Sequence, residues 1–268
     1  MSDQLSIYLS AAWEAARLAG TLIRETWERP KSIDYKGAVD LVTSVDREAE
    51  RRVVEVLQAN FPSHSILAEE ETSITGTDNG YRWIIDPLDG TTNFAHGYPH
   101  FCISIAMEIE SVVVLGLVYD PLRRECFRAV LGQGASVDGN RIQTSATREL
   151  DKALLGTGFP YDRRINADEY LTYFKAFMLH TQGIRRSGSA ALDLCYVACG
   201  RLDGFWELKL RPWDIAAGSL IVSEAGGRMS DFHGREFRIS GIETLASNGT
   251  IHAEMVEVTQ ACATRIAR

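Results

Sequence analysis

Between residues 101 and 130 three strand-like runs follow one another closely. Residues 101–108 alternate apolar and polar, 112–119 are almost wholly apolar, and 125–130 follow a turn at Pro121. Runs this short, joined by so few residues, read as a meander of antiparallel strands. The rest of the chain has to cover that sheet. Ile7, Ala11, Ala15, Leu18 and Leu22 recur at three- and four-residue steps, so residues 1–27 read as an amphipathic helix ended by Glu28-Arg29-Pro30. A second helix is expected over 44–59, with Thr43 and Asp46 as its cap. Short strands are expected at 64–68 and at 82–85, the latter stopping at Asp86-Pro87. Gly132, Gly134 and Gly139 mark turns after the meander.

The second half alternates differently. Strands are expected at 154–157, 184–186, 204–207 and 244–247. Helices are expected at 168–180, 189–198, 212–224 and 250–268, the third with Pro at its start and Gly226-Gly227 at its end. No Pro- or Ser-rich linker, repeat or low-complexity tract interrupts the chain. Mixed sheets with helices between them fit an α+β layered architecture. The expectation is one compact unit of two lobes, 1–145 and 146–268.

Composition narrows the function. Lys and Arg number 28 against 36 Asp and Glu, a formal charge of −8, so binding of nucleic acid by charge alone is not expected. A hydrophobic share of 45% over 268 residues excludes a disordered chain or a stapled miniprotein. The five cysteines form no C-x-x-C pair, which argues against a zinc ribbon or disulfide framework. Cys195 and Cys199 read as core residues of one helix. Asp3 stands where a secretion signal carries positive charge, and the run near 112–119 is far too short for a membrane span. A cytoplasmic location is expected.

The chemistry centres on Trp83-Ile-Ile-Asp86-Pro-Leu88-Asp89-Gly90-Thr91-Thr92-Asn93. An apolar strand delivers Asp86 at its end, and Asp89 follows three residues later. Gly90 permits a backbone that a side chain would obstruct. Thr91-Thr92 can open a helical turn with free amides. Carboxylates beside free N–H groups suit a divalent cation and a phosphate together. Asp-Pro-x-Asp-Gly is also an ordinary turn composition. Two further acidic groups weigh against that simpler reading: Glu69-Glu70-Glu71 after a strand, and Asp214 at a helix start, where capping is the alternative.

These segments resemble the inositol monophosphatase family of magnesium-dependent, lithium-sensitive phosphatases. Asp86-Pro-Leu-Asp-Gly-Thr-Thr-Asn-Phe94 is similar to its first signature. Trp213-Asp-Ile-Ala-Ala-Gly218, with Glu224-Ala-Gly-Gly227, is similar to its second. Glu69-Glu70 and Asp40-Leu-Val-Thr-Ser-Val-Asp46 match further blocks, and Arg185-Arg186-Ser-Gly-Ser-Ala-Ala points to the bacterial branch. The resemblance covers nearly the whole chain. It implies a layered αβαβα fold of the inositol monophosphatase and fructose-1,6-bisphosphatase type, usually homodimeric, with two or three Mg²⁺. It implies that Glu69, Asp86 and the Leu88 carbonyl hold one metal, and Asp86, Asp89 and Asp214 a second. Glu69, and Thr91 paired with Asp46, would activate water. Gly90 and Thr91 would receive the phosphate, while Gly188, Ser189, Ala190 and Glu207, with Asp89 and Asp214, would face the alcohol.

The expected activity is hydrolysis of inositol monophosphates and similar small polyol phosphates by metal-activated water. The alternatives are fructose-1,6-bisphosphatase or a related sugar phosphatase, or an added role binding RNA polymerase or elongation factors. Arg185 and Arg186 would then meet protein partners. Lys36-Gly37 could belong to a loop near the metals. His96 and His100 read as surface or core residues rather than zinc ligands.

Overall fold

The computed structural model describes residues 2–27, 33–35 and 41–266. The meander lies inside a sheet of eight strands. Their order is Asn140–Arg141, Gly134–Val137, Glu125–Val130, Val112–Asp120, Cys102–Ile109, Asp78–Asp89, His64–Ala68 and Ser73–Ile74. Neighbours are antiparallel except His64–Ala68 beside Asp78–Asp89, which run parallel. A second sheet of five strands is ordered Gly183–Arg185, Leu154–Thr157, Gly204–Leu208, Glu243–Ser247 and Arg228–Ser230.

Alternation along the central strands feeds two cores at once. Ile103, Ile105 and Met107 point to one face, where the helices Ser2–Thr26 and Ser44–Asn60 pack through Ala12, Ala16, Ala19, Val53 and Leu57. Cys102 and Ala106 point to the other face, against the helices Ala190–Ala198 and Pro212–Glu224. The second sheet lies beyond that helical pair. Its far face is covered by Ala167–His180 and His252–Ile266 through Tyr173, Phe177 and Met255. The layers therefore run α, β, α, β, α. A helix between two sheets has no solvent face, which explains why Ala190–Ala198 and Pro212–Glu224 are apolar nearly all round. Cys195 is buried in this layer, Cys199 is its partly covered C-cap, and all five cysteines are free thiols.

The inner face of the first sheet is paved with small residues, and the middle helix sits close on it. A Cβ on Gly116 would lie 2.5 Å from the Ala217 carbonyl oxygen and 3.0 Å from its Cα.

Three expectations need correction. The strand expected to stop at Asp86-Pro87 runs on to Asp89. Its register with Cys102–Ile109 shifts between Asp86 and Asp89, and Pro87 falls inside that irregularity, where a missing N–H costs no ladder bond. Gly132 and Gly139 fall in turns, but Gly134, also expected in a turn, opens the short strand Gly134–Val137. Ser73–Ile74 and Arg228–Ser230 are also strands, too short for a period to be visible in sequence. Lys36, Gly37 and Asp40 lie outside the described residues, so the loop expected there is not located.

His252 is a buried histidine held between Ser230 and Ser247, each hydroxyl 2.8 Å from a ring nitrogen. Burial first, and then Arg228, push its pKa down to about 4 from the usual 6.5. The unfolded chain thus binds the proton more readily than the folded one. Stability is full above pH 6.5 and falls as the pH drops toward 4. His252→Gln should flatten that part of the curve of melting temperature against pH. Gly116→Ala should destabilise the protein by about 1–3 kcal/mol through overpacking, read from denaturant midpoints. It should also lower activity, because the helix that must move carries Asp214.

Candidate active site

A cleft of about 580 Å³ opens where strand ends of the first sheet meet the starts of the two middle-layer helices. Glu69, Asp86, Leu88, Asp89, Gly90 and Thr91 line it from the first sheet. Gly188, Ser189 and Ala190, together with Glu207 and Asp214, line it from the second half of the chain. Asp46 is buried behind it.

Each aspartate is oriented by a local bond. Asp86 Oδ1 accepts the Leu88 amide at 2.9 Å, which curls the chain after Asp86 toward Asp89. Asp89 Oδ2 accepts the Ser189 hydroxyl at 2.6 Å and the Ala191 amide at 2.8 Å. Asp214 Oδ2 accepts the Arg211 amide at 2.6 Å. Asp214 thus caps its helix with one oxygen while its residue lines the cleft; capping and a role in the cleft are compatible.

Burial pushes the Asp86 carboxyl well above its usual range, and the charges of Glu69, Asp89 and Asp214 push it further. Asp214 is raised by burial and then by Asp89 and Glu207. Asp89 is raised by burial against the opposing bonds from Ser189 and Ala191. Among the described residues, no cationic side chain is among the strongest influences on Asp86 or Asp89. Crowded carboxylates with a backbone carbonyl nearby make an all-oxygen donor set, which fits a hard divalent cation. Among the described residues, no three such side chains are gathered tightly enough to enclose an ion on their own.

At the other end of this segment, Gly90 adopts φ 99° and starts the five-residue helix Thr91–Ala95. A Cβ there would stand 2.9 Å from the His100 carbonyl oxygen, so only glycine fits. Thr91 Oγ1 lies 2.7 Å from Asp46 Oδ1 and 3.1 Å from the Leu88 carbonyl. Its one proton is directed to acceptors on the protein side, leaving a lone pair for the cleft.

Glu207 lines the cleft from the second half of the chain. Burial raises its pKa to about 8, with Arg186 opposing that rise. Its carboxylate lies against the backbone of Gly158, where a Cβ would come within 2.1 Å of Oε2.

The three consecutive glutamates do not form one cluster. Glu69 lines the cleft, whereas Glu71 pairs with Arg47 at 3.3 Å. The buried Glu50 accepts the amides of Glu70, Glu71 and Thr72 at 2.8–3.0 Å and sets this turn. Arg185 and Arg186 are both exposed, but Arg186 also departs from expectation: it lines the cleft and lies over the Phe159 ring at 5.9 Å. His100 is buried, with burial lowering its pKa to about 4, and His96 is exposed.

Sequence reasoning missed Asp193 and gave Asn93, though part of the signature, no role; both line the cleft. Asp193 is buried, and its Oδ1 has no hydrogen-bond partner. Its signal was available: a lone acid inside the apolar helix Ala-Ala-Leu-Asp-Leu-Cys. Asn93 gave no such signal, because asparagine is common in turns.

Residues 4–264 match the model of the inositol monophosphatase family. An inositol-1-monophosphatase of Synechocystis is 48% identical over 94% of this chain and 88% of its own length. A protein named Nus factor SuhB from Pseudomonas aeruginosa is 50% identical over 84% of this chain and 86% of its own. Among solved structures, an inositol monophosphatase from Anabaena superposes with a TM-score of 0.88 at 43% identity, covering 96% of this chain and 97% of the other. The extragenic suppressor protein suhB of Bartonella henselae gives a TM-score of 0.91 at 38% identity, covering 94% and 98%. With the same layered fold and a match from end to end, this chain belongs to the inositol monophosphatase family.

Proposed function

We propose that the protein hydrolyses inositol monophosphates and similar small polyol phosphates to the free alcohol and phosphate, with Mg²⁺ as cofactor. The observation that carries this reading is the confluence of Glu69, Asp86, Asp89 and Asp214 on one cleft, with the Thr91–Asp46 pair at one end and Glu207 at the other. Glu69, Asp86, Asp89, Asp214 and the Leu88 carbonyl would hold two or three cations. When bound, these lower the pKa of water and neutralise charge on the phosphate and the leaving oxygen. Thr91 accepts a hydrogen bond from the attacking water while its own proton is held by Asp46, so the pair orients the water and draws its proton away. The Gly90 and Thr91 amides receive phosphate oxygens at the start of the short helix. Ser189 and Ala191 hold one oxygen of Asp89, and as a metal ligand its other oxygen would be engaged, which favours attack by water over attack by Asp89.

On the alcohol side, Glu207 and the loop at Gly188, Ser189 and Ala190 read ring hydroxyls. The name of the Synechocystis relative favours inositol phosphates over fructose 1,6-bisphosphate. A homodimer and a cytoplasmic location belong to the same proposal; no helix among the described residues is long and apolar enough to cross a membrane. The name Nus factor supports a second reading, in which this chain also binds proteins of the transcription machinery. A pull-down with purified RNA polymerase and elongation factors tests it.

Asp89→Asn keeps the side-chain volume and removes one ligand charge. It should reduce turnover of inositol 1-phosphate by about 10³-fold or more. Millimolar Mg²⁺ should raise the melting temperature of the wild type, since a ligand at 100 times its Kd adds about 2.7 kcal/mol to the native state. That rise should shrink in Asp89→Asn. Normal turnover of the variant in saturating Mg²⁺ would remove Asp89 from the metal site.

Glu207→Ala should be selective. Hydrolysis of inositol 1-phosphate should fall more than that of glycerol phosphate, which offers fewer hydroxyls. An equal loss on both substrates would make Glu207 a support of the cleft rather than a reader of the ring.

A further inference from the structure

We infer that Asn93 is a positioning residue of this site: its side-chain amide fastens the loop 187–189 across the cleft and, through Ser189, fixes the carboxylate of Asp89. The inference rests on the phosphatase reading above and assigns a residue that the family signatures place only as part of a motif. Asn93 sits in the short helix Thr91–Ala95, four residues after Asp89. Its Nδ2 lies 2.7 Å from the carbonyl oxygen of His100, 2.9 Å from that of Ser187 and 3.3 Å from that of Gly188. An amide nitrogen has two hydrogens. The two shorter contacts use them, one on its own side of the cleft and one on the far side, 94 residues along the chain.

The far loop then reaches back. Ser189 donates its hydroxyl to Asp89 Oδ2 at 2.6 Å, and Ala191 adds its amide at 2.8 Å. The contacts form a closed circuit: Asp89, the turn to Asn93, the Ser187 and Gly188 carbonyls, Ser189, and Asp89 again.

The fit at Gly188 is tight. Its φ is 91°, and a Cβ there would meet Asn93 Nδ2 at 3.0 Å and an Arg186 guanidinium nitrogen at 2.8 Å. The loop backbone is pressed onto the amide, with no space for a different register. The side chain must also be a double donor. A carboxylate at this position would turn oxygens toward three carbonyl oxygens, and an aliphatic side chain would leave those carbonyls without their bonds. Because Ser189 holds one Asp89 oxygen, a shift of the loop rotates the carboxylate and moves the oxygen left for a cation. Partners of this kind behind a ligand alter metal affinity or activity by about 10- to 100-fold.

Calorimetric titration of the purified protein with Mg²⁺ tests the inference without turnover. Asn93→Ser, which keeps one donor, and Asn93→Asp should both weaken Mg²⁺ binding, the Asp variant by about 10- to 100-fold. The kcat for inositol 1-phosphate should fall with little change in KM. Melting in EDTA establishes that each variant is folded, and the Ser variant remains informative if the Asp variant is not. Combining Asn93→Ser with Ser189→Ala should weaken Mg²⁺ binding little more than Ser189→Ala alone, because both changes break one circuit.

Folded Asn93 variants with wild-type Mg²⁺ affinity, or losses that simply add in the double variant, would overturn the inference and leave Asn93 as a structural residue. A wild-type protein that binds no Mg²⁺ would instead overturn the functional reading, and this inference with it.

Discussion

Repulsion among Glu69, Asp86, Asp89 and Asp214 is the constraint around which the cleft is built. Carboxylates raised by burial and by one another do not gather unless the scaffold holds them there. Here the holding is distributed. Asp86 is fixed by a turn within its own strand, Asp89 by a loop from the second half of the chain, and Asp214 by its own helix start. The stability of the layers is spent partly on keeping like charges close, and a bound cation would relieve that strain directly.

The middle helical layer makes this arrangement possible. Small residues on the inner face of the first sheet let Pro212–Glu224 approach until Gly116 and Ala217 nearly touch. That approach brings Asp214 to the strand end that carries Asp86 and Asp89. The neighbouring helix Ala190–Ala198 begins at Ser189, so the residue that caps it also bonds Asp89. One set of packing contacts therefore serves both the core and the chemistry.

Much of this was legible in the sequence. Long helices and the meander announced themselves by period, and the acid-rich signature named the residues that line the cleft. What escaped had physical reasons. Strands of two to four residues, such as Ser73–Ile74 and Arg228–Ser230, are too short to show alternation. The continuation of the strand through Pro87 depends on an irregular register, which no local pattern encodes. Glu69, Glu70 and Glu71 looked like one charge cluster because sequence gives adjacency but not direction; the buried Glu50 turns their backbone and sends Glu69 and Glu71 to different surroundings. Asn93 stood within the signature, but its role was invisible because its partners lie on a loop 94 residues away.

The borrowed layer also bears on how the chain comes off the ribosome. Strands up to Arg141 complete the first sheet, yet the helices that cover its inner face end only at Glu224. Until they emerge, Ile84, Ala106, Val118 and Phe127 have no cover on that side. A nascent chain of this protein spends a long interval with half of its central sheet wet. In that interval premature association with another chain competes with maturation, so the exposed inner face puts a premium on prompt synthesis and shielding between residues 141 and 224.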